Sequence, residues 1–473
     1  MAILTSLPNE LLLSIIADVS PLYIESFALS CKRIYYLCID TIREHDIVRS
    51  RLAEMQPLGL LRTLSLHSEL ALYPISSKLT YTPFEMEFLQ LDTSINDAPL
   101  KSDINAWALQ SPFTIFHETD ERHKSVRDLA MPLMVTSLLN LRKIDWAIAY
   151  PRYLLEAVSQ IVEASREPLS SVRQPLAFGR LNEVRIVTTC DCTYGMGLAV
   201  LLAMIPSVRK LKVLRICNTN PFVCPYPRYD SGVTEMILDE YADSSYLVEL
   251  IKHTNRLQKF TYNHNIYGTG TSAKFEPRHV AEILKQRAGH SLLYLNLSID
   301  VPGCLGYLCR DRYRNHNDLS LGPLRSFSVL RTIVTCVDMF IKTRGLSEFG
   351  NGTGTVQRLV SWLPTSLEAL VLHQGLEEWD KDTLRMLFRG FRKNKQKRVP
   401  NLKLIDFVQC PSFEPLMSDN MKTAFQGMGV KVGYTLYWCR NPECRQVFEQ
   451  LEDWEGRPWV EALEECCQHE WLG

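Results

Sequence analysis

The chain has 473 residues and little that commits it to one chemistry. Charge is nearly balanced, with 52 Lys and Arg against 53 Asp and Glu. Broad binding to nucleic acid needs a basic face, so no nucleic-acid partner is expected, although a local patch is compatible with this balance. No run of about 18 apolar residues occurs, so no membrane span is expected. Residues 11–19 are apolar, but Asn9, Glu10 and Asp18 flank them and no basic stretch precedes them. No secretory signal is therefore expected. The phosphate-loop patterns G-x-x-x-x-G-K-[ST] and G-x-G-x-x-G are missing, as is the nucleophile elbow G-x-S-x-G. The Gly/Thr-rich stretches at 267–275 and 350–359 place no Gly-Lys-Ser/Thr before a helix and read as loops. No catalytic constellation emerges, and the expectation is a chain that is not an enzyme and carries no cofactor.

Composition is otherwise ordinary, with 46% hydrophobic and 22% charged residues, as in soluble globular proteins. A single core rarely grows past roughly 250–300 residues, so two parts or one elongated repeat structure are expected. The 14 cysteines are most simply reduced and buried, which points to the cytoplasm or nucleus.

After residue 180 a template of apolar-x-x-apolar-x-apolar recurs. It reads "LNEVRI" at 181, "LKVLRI" at 211, "LQKFTY" at 257, "LLYLNL" at 292, "LRSFSV" at 324, "LEALVL" at 367 and "LKLIDF" at 402. Earlier matches are "LRTLSL" at 61 and "LRKIDW" at 141. Alternation at the end of each unit fits a half-buried strand. Helical text precedes most units, as in "GLAVLLAMI", "YLVELIKHT", "RHVAEILKQRA", "VQRLVSWL" and "DTLRMLFRGFRKN". Such units bury their apolar faces by stacking on one another. The pattern is similar to irregular leucine-rich repeats, whose regular form runs about 20–29 residues. The fold class expected is α/β, a solenoid of strand–helix units.

The N-terminus reads as three short helices. Pro8 suits a first helical position, Glu10 lies near the positive end of the dipole, and Leu11, Leu12, Ile15 and Ile16 recur at helical spacing over 8–17. Ser20-Pro21 starts a second helix bearing Leu22, Ile24, Phe27, Ala28 and Leu29, and a third begins near Cys31 with Ile34, Leu37, Cys38 and Ile42. Three such helices cannot bury all their apolar surface alone. Some of it meets a partner or the rest of the chain.

The stretch "LPNELLLSIIADVSPLYIESFALSCKRIYYLC" resembles an F-box, in particular those of fungal F-box proteins. Leu7, Pro8, Glu10, Leu11, Leu12 and Ile15 carry the first half of the resemblance, and Leu29, Cys31, Lys32, Ile34 and Leu37 the second. Ser30 stands where the family often has Val, and Ile34 or Tyr35 where it often has Trp. The resemblance implies a modular adaptor. The F-box would dock the Skp-type adaptor of a cullin–RING ubiquitin ligase, and the C-terminal region would recruit an unknown substrate protein. Adaptor-binding residues would come from Leu7, Pro8, Glu10, Leu11, Leu12, Ile15, Leu29, Cys31, Lys32 and Ile34, shared between the interface and the domain's own core. An F-box scaffold that binds the adaptor without directing ubiquitylation is the alternative. The domain reading is an F-box over 1–45, a helical and irregular linker with first solenoid units over 46–180, and the substrate-binding solenoid with a C-terminal cap over 181–473.

Three further features stand out in the sequence. Cys439, Cys444, Cys466, Cys467 and His469 could be zinc ligands, but an adjacent Cys-Cys pair supplies two good ligands poorly, and no metal is expected. The basic run "RKNKQKR" at 392–398 reads as a solvated loop, with an acidic-substrate or nuclear-import contact as the sharper alternative. The aromatics of "YTLYWC" and "DWEGRPW" and Trp471 read as the closing cap of the repeat, with a substrate-binding face as the alternative.

Overall fold

The computed structural model describes residues 4, 6–55, 57–74, 76–79, 102, 133–148, 152–164, 178–188, 194–214, 230–239, 244–265, 275–300, 319–342, 355–356, 358–373, 381–409 and 419–436. It opens with four helices, α1 (Asn9–Asp18), α2 (Ile24–Ala28), α3 (Lys32–Glu54) and α4 (Pro57–Leu66). Helix α3 is longer than its first apolar positions suggested. Ile34, Cys38, His45 and Leu52 extend one buried stripe along it, so the boundary at 45/46 falls inside a continuous helix. "LRTLSL" lies in α4 and is not a strand.

Strands follow, several of them separated by helices: β1 (Ser76–Leu79), β2 (Lys143–Ile148), α5 (Arg152–Ala164), β3 (Glu183–Thr188), α6 (Tyr194–Ala203), β4 (Lys210–Leu214), β5 (Glu235–Asp239), α7 (Ser244–Ile251), β6 (Lys259–Asn265), α8 (Pro277–Ala288), β7 (Tyr294–Asp300) and β8 (Thr332–Cys336). A small antiparallel pair, β9 (Ile341–Lys342) and β10 (Thr355–Val356), precedes β11 (Ala369–His373), α9 (Lys381–Leu387), α10 (Phe391–Arg398), β12 (Leu404–Gln409), α11 (Asp419–Gln426) and β13 (Lys431–Leu436). Eleven strands make one sheet in the order β1-β2-β3-β4-β5-β6-β7-β8-β11-β12-β13. All its pairings are parallel. The fold is α/β, and the sheet follows chain order throughout except that β8 pairs with β11, β9 and β10 forming their own small pair.

The register aligns the template residues across the sheet. Ile144, Val184, Leu211, Met236, Phe260, Leu295, Ile333, Leu370 and Ile405 form one continuous row. All are buried in a single apolar cluster shared with α5 to α8. Burying each such side chain is worth about 1.5–3 kcal/mol, and this row is the backbone of the core. The residue three places before each member also turns inward. Leu141, Leu181, Val208, Val233, Leu257, Leu292, Leu330, Leu367 and Leu402 are all buried.

Those rows correct the frame of several units. At β4 the unit begins at Val208, so "LKVLRI" is three residues out of phase. "LRSFSV" is turn, and the strand there follows Leu330. "VQRLVSWL" holds a short 3-10 turn, Leu359–Ser361, where a helix was expected. "RKNKQKR" is helical, within α10, and not a loop. The carbonyls left at the turns are met by serines ahead of the strands. Ser207 donates to the Phe178 carbonyl at 3.0 Å, Ser231 to Ala203 at 2.6 Å, Ser291 to Leu257 at 2.9 Å and Ser366 to Leu330 at 2.8 Å. Buried carbonyls without a partner would cost about as much as a lost hydrogen bond.

On the face away from the helices, the first position of each strand carries charge in alternation. Lys143, Glu183, Lys210, Glu235 and Lys259 are successive partners in the register, followed by Tyr294. Lys143 meets Glu183 at 2.9 Å, and Glu235 meets Lys259 at 2.9 Å and Lys210 at 3.8 Å. Lys259 also sits 5.6 Å from the centre of the Tyr294 ring. Further along, the same face turns apolar where Val334, Val371 and Val408 pack together.

Candidate functional site

The N-terminal helices build a small core of their own. Ile16, Ile24, Ala28, Ile34 and Cys38 form it, with Val19, Phe27, Leu37 and Ile42 packed around. Cys31 caps α3, its sulfur accepting from the Ile34 N–H at 3.4 Å. Arg33 reaches across to the start of α1. It donates to the Leu7 carbonyl at 2.8 Å and to Asn9 Oδ1 at 3.1 Å. The two halves of the sequence signature are therefore one structural joint.

The ten residues proposed from sequence divide by burial. Leu12 is fully buried and Ile34, a member of this core, is 1% exposed, so neither is a surface anchor. Ile15 and Leu7 are half-buried, and Cys31 is held in its capping role. Pro8, Glu10 and Lys32 are exposed. Leu11 is 52% and Leu29 80% exposed. Sequence reasoning did not single out Leu13, 49% exposed, or Tyr36, 61% exposed. Their signal lay in helical phase. Each lies one or two places past a buried residue, Leu12 or Ile34, and so off the inward stripe. Tyr35 and Tyr36 stand edge to face at 5.8 Å. Isolated exposed apolar residues are normal; Leu11, Leu13, Leu29, Tyr35 and Tyr36 are five that stay outside the core on or beside α1 to α3.

This unit is fastened to the sheet. Glu25 on α2 pairs with Arg49 on α3 and with Arg142 ahead of β2, each at 2.7 Å. Burial opposes ionisation of Glu25, yet Arg142 and Arg49 outweigh it and hold the carboxyl below its ordinary value. Arg180 donates to the Leu22 carbonyl and lies 5.0 Å above the Tyr23 ring. His45 is buried edge-on to Tyr73 at 5.0 Å. Burial, with Arg49 adding to it, pushes its pKa down. Burial raises the Cys38 thiol, which keeps it protonated and inert.

The cysteine and histidine group at 439–469, the aromatics beyond 436 and the Gly/Thr stretches at 267–274 and 350–354 lie outside the described residues. Among the described residues no helix is long and apolar enough to cross a membrane.

No protein-family model matches the chain. No curated protein matches it either. Among solved structures it is similar to the crystal structure of the Rad7 and Elc1 complex in yeast, at 12% identity over 84% of this chain and 97% of that one, with a TM-score of 0.25. A likeness this faint assigns neither fold nor partner.

Proposed function

We propose that α1 to α3 are an F-box that docks a Skp-type adaptor, and that the parallel sheet with its helices is an irregular leucine-rich-repeat-like solenoid that recruits a target protein. The chain would then be the non-catalytic substrate-recognition subunit of an SCF-type E3 ubiquitin ligase, working in the cytoplasm or nucleus. Its contribution is effective concentration, because it holds target lysines near the ubiquitin-loaded enzyme. The observation that carries this reading is Leu29, 80% exposed beside a core that is already closed. An apolar helical surface laid into a partner's groove is a known recognition mode. Leu11, Leu13, Leu29 and Tyr36 are the anchors this geometry offers.

The test is co-purification of the full chain with a Skp-type adaptor. Capture of the wild type, lost in Leu11→Asp and Leu29→Asp without loss of folding, supports the reading. A wild type that is not captured overturns it. If the adaptor is captured and a bound target becomes neither ubiquitylated nor longer-lived on deletion of this chain, the scaffold alternative replaces the receptor.

A further inference from the structure

The chain is nearly neutral, yet one corner of the repeat region is strongly basic. Helix α10 has the sequence FRKNKQKR, and Arg392, Lys393, Lys397 and Arg398 are all exposed on it. Arg389, in the turn before it, is exposed as well. Among the described residues none of these five cations is in an ion pair. Along the sheet, by contrast, charges are neutralised in place, as along Lys143, Glu183, Lys210, Glu235 and Lys259.

Local structure explains only part of this charge. Lys397 and Arg398 lie in the last turn, where the helix dipole favours cations. Lys395, in the same turn, bonds the Pro400 carbonyl at 3.3 Å. Arg392 and Lys393 lie in the first turn, where the dipole disfavours them. Four phenylalanines hold the platform rigid. Phe388 and Phe391 flank the turn at Gly390 and pack on Phe425 at 5.1 and 5.4 Å, and Phe388 also packs on Phe407 at 6.2 Å. Gly390 takes a left-handed φ of 78° that lets α10 restart after α9. One apolar side chain stands in the open beside the cations. Met386 on α9 is 48% exposed, three places before Arg389.

We infer that this α9–α10 corner is a docking surface for an acidic protein segment, rich in Asp or Glu and carrying one apolar side chain for Met386. Charge complementarity selects the acidic chain. No exposed large aromatic accompanies the described cations of this corner, whereas single-stranded nucleic acid is held by stacking on aromatics as well as by charge. The surface is separate from α1 to α3 and stands whether or not those helices dock an adaptor.

Fluorescence anisotropy with the full chain tests it. The probes are a labelled peptide of Asp and Glu with one central Leu, the same peptide with Asn and Gln in place of the acids, the acidic peptide without Leu, and a mixed-sequence DNA duplex. The Leu-containing acidic peptide should bind, weaken with added salt, and bind the quadruple variant Arg392→Glu, Lys393→Glu, Lys397→Glu, Arg398→Glu at least about tenfold more weakly. These side chains are exposed, so an unchanged circular dichroism spectrum should accompany the loss. Met386→Ser should weaken the Leu-containing peptide about threefold and leave the Leu-free one unchanged. Equal binding to wild type and quadruple variant, equal binding of the neutral peptide, no binding at all, or tighter binding of the duplex would each overturn the assignment.

Discussion

Glu25 and Arg142 lie 117 positions apart in sequence and meet at 2.7 Å. Through this pair, and through Arg180 on the Leu22 carbonyl and Tyr23 ring, the N-terminal helices are clamped to the foot of the sheet. The leftover apolar side chains therefore sit on a unit held against the repeat, not on a free tail.

Removing the clamp should loosen the helices without unfolding the sheet. Arg142→Ala should cost about 1 kcal/mol, the scale of a partly exposed ion pair, and speed amide exchange in α1 to α3 selectively. The pH dependence follows from the sign of the Glu25 shift. Its folded pKa is lowered, so its stabilisation is complete above the ordinary value of 4.5 and fades as pH falls through the folded value. In Glu25→Gln that acid sensitivity should disappear, and an unchanged exchange profile at low pH would refute the role given to this carboxylate.

Burial separates two neighbours on α1. Leu12→Ala should destabilise the helical unit by about 3 kcal/mol, since it removes a fully buried side chain. Leu11→Asp should change stability by less than about 0.5 kcal/mol while abolishing adaptor capture. Thermal melts of the two variants, run beside the co-purification, distinguish packing from docking. If Leu11→Asp melts as low as Leu12→Ala, the division by burial is wrong.

The charge ladder can be broken at its centre. Glu235 stands between Lys210 and Lys259, and Glu235→Lys would place three lysines side by side. Like charges directly opposite destabilise a strand pair, so a loss of about 1–2 kcal/mol is expected in urea. The deficit should shrink in about 1 M salt, where the Debye length falls to about 3 Å. A deficit that does not respond to salt would point to packing instead.

A second titration belongs to His373 at the end of β11. The residue keeps some contact with solvent, yet burial of its ring pushes the pKa from 6.5 down to about 4. A depressed folded value means the neutral ring stabilises the fold fully above pH 6.5, and that stability drains away as pH falls from 6.5 towards 4. His45 acts in the same direction. His373→Asn should flatten the urea midpoint across that window, and an unaltered slope would clear His373 of the effect.

The strand units were largely legible in sequence because one face of the sheet is dry and the other is not, which imposes period-two alternation. Five of the seven template matches after residue 180 hold residues of the inward rows in the right phase. Strand β5 went unread although Val233, Met236 and Leu238 fit the same apolar template, the unit opening with Val where the seven quoted ones open with Leu. Strand β8 was misplaced because Thr335 fills an inward slot that the template required to be apolar. Strand β13 opens from Gly429 and offers no apolar first position. The helix at 391–398 was hidden because only Phe391 of its residues is buried, so no apolar periodicity marks it. At the N-terminus the three helices were readable, but the division of Leu11 from Leu12 depends on helix packing angles that one short segment does not encode.

Alternating lysine and glutamate along the sheet has one more consequence, which concerns assembly. Strands with identical apolar faces would stack equally well in any order. Here a unit that skipped its neighbour would lay Lys143 over Lys210, or Glu183 over Glu235. The ladder thus proofreads the stacking order while the chain folds, favouring a neighbour of opposite sign and turning away the next one along.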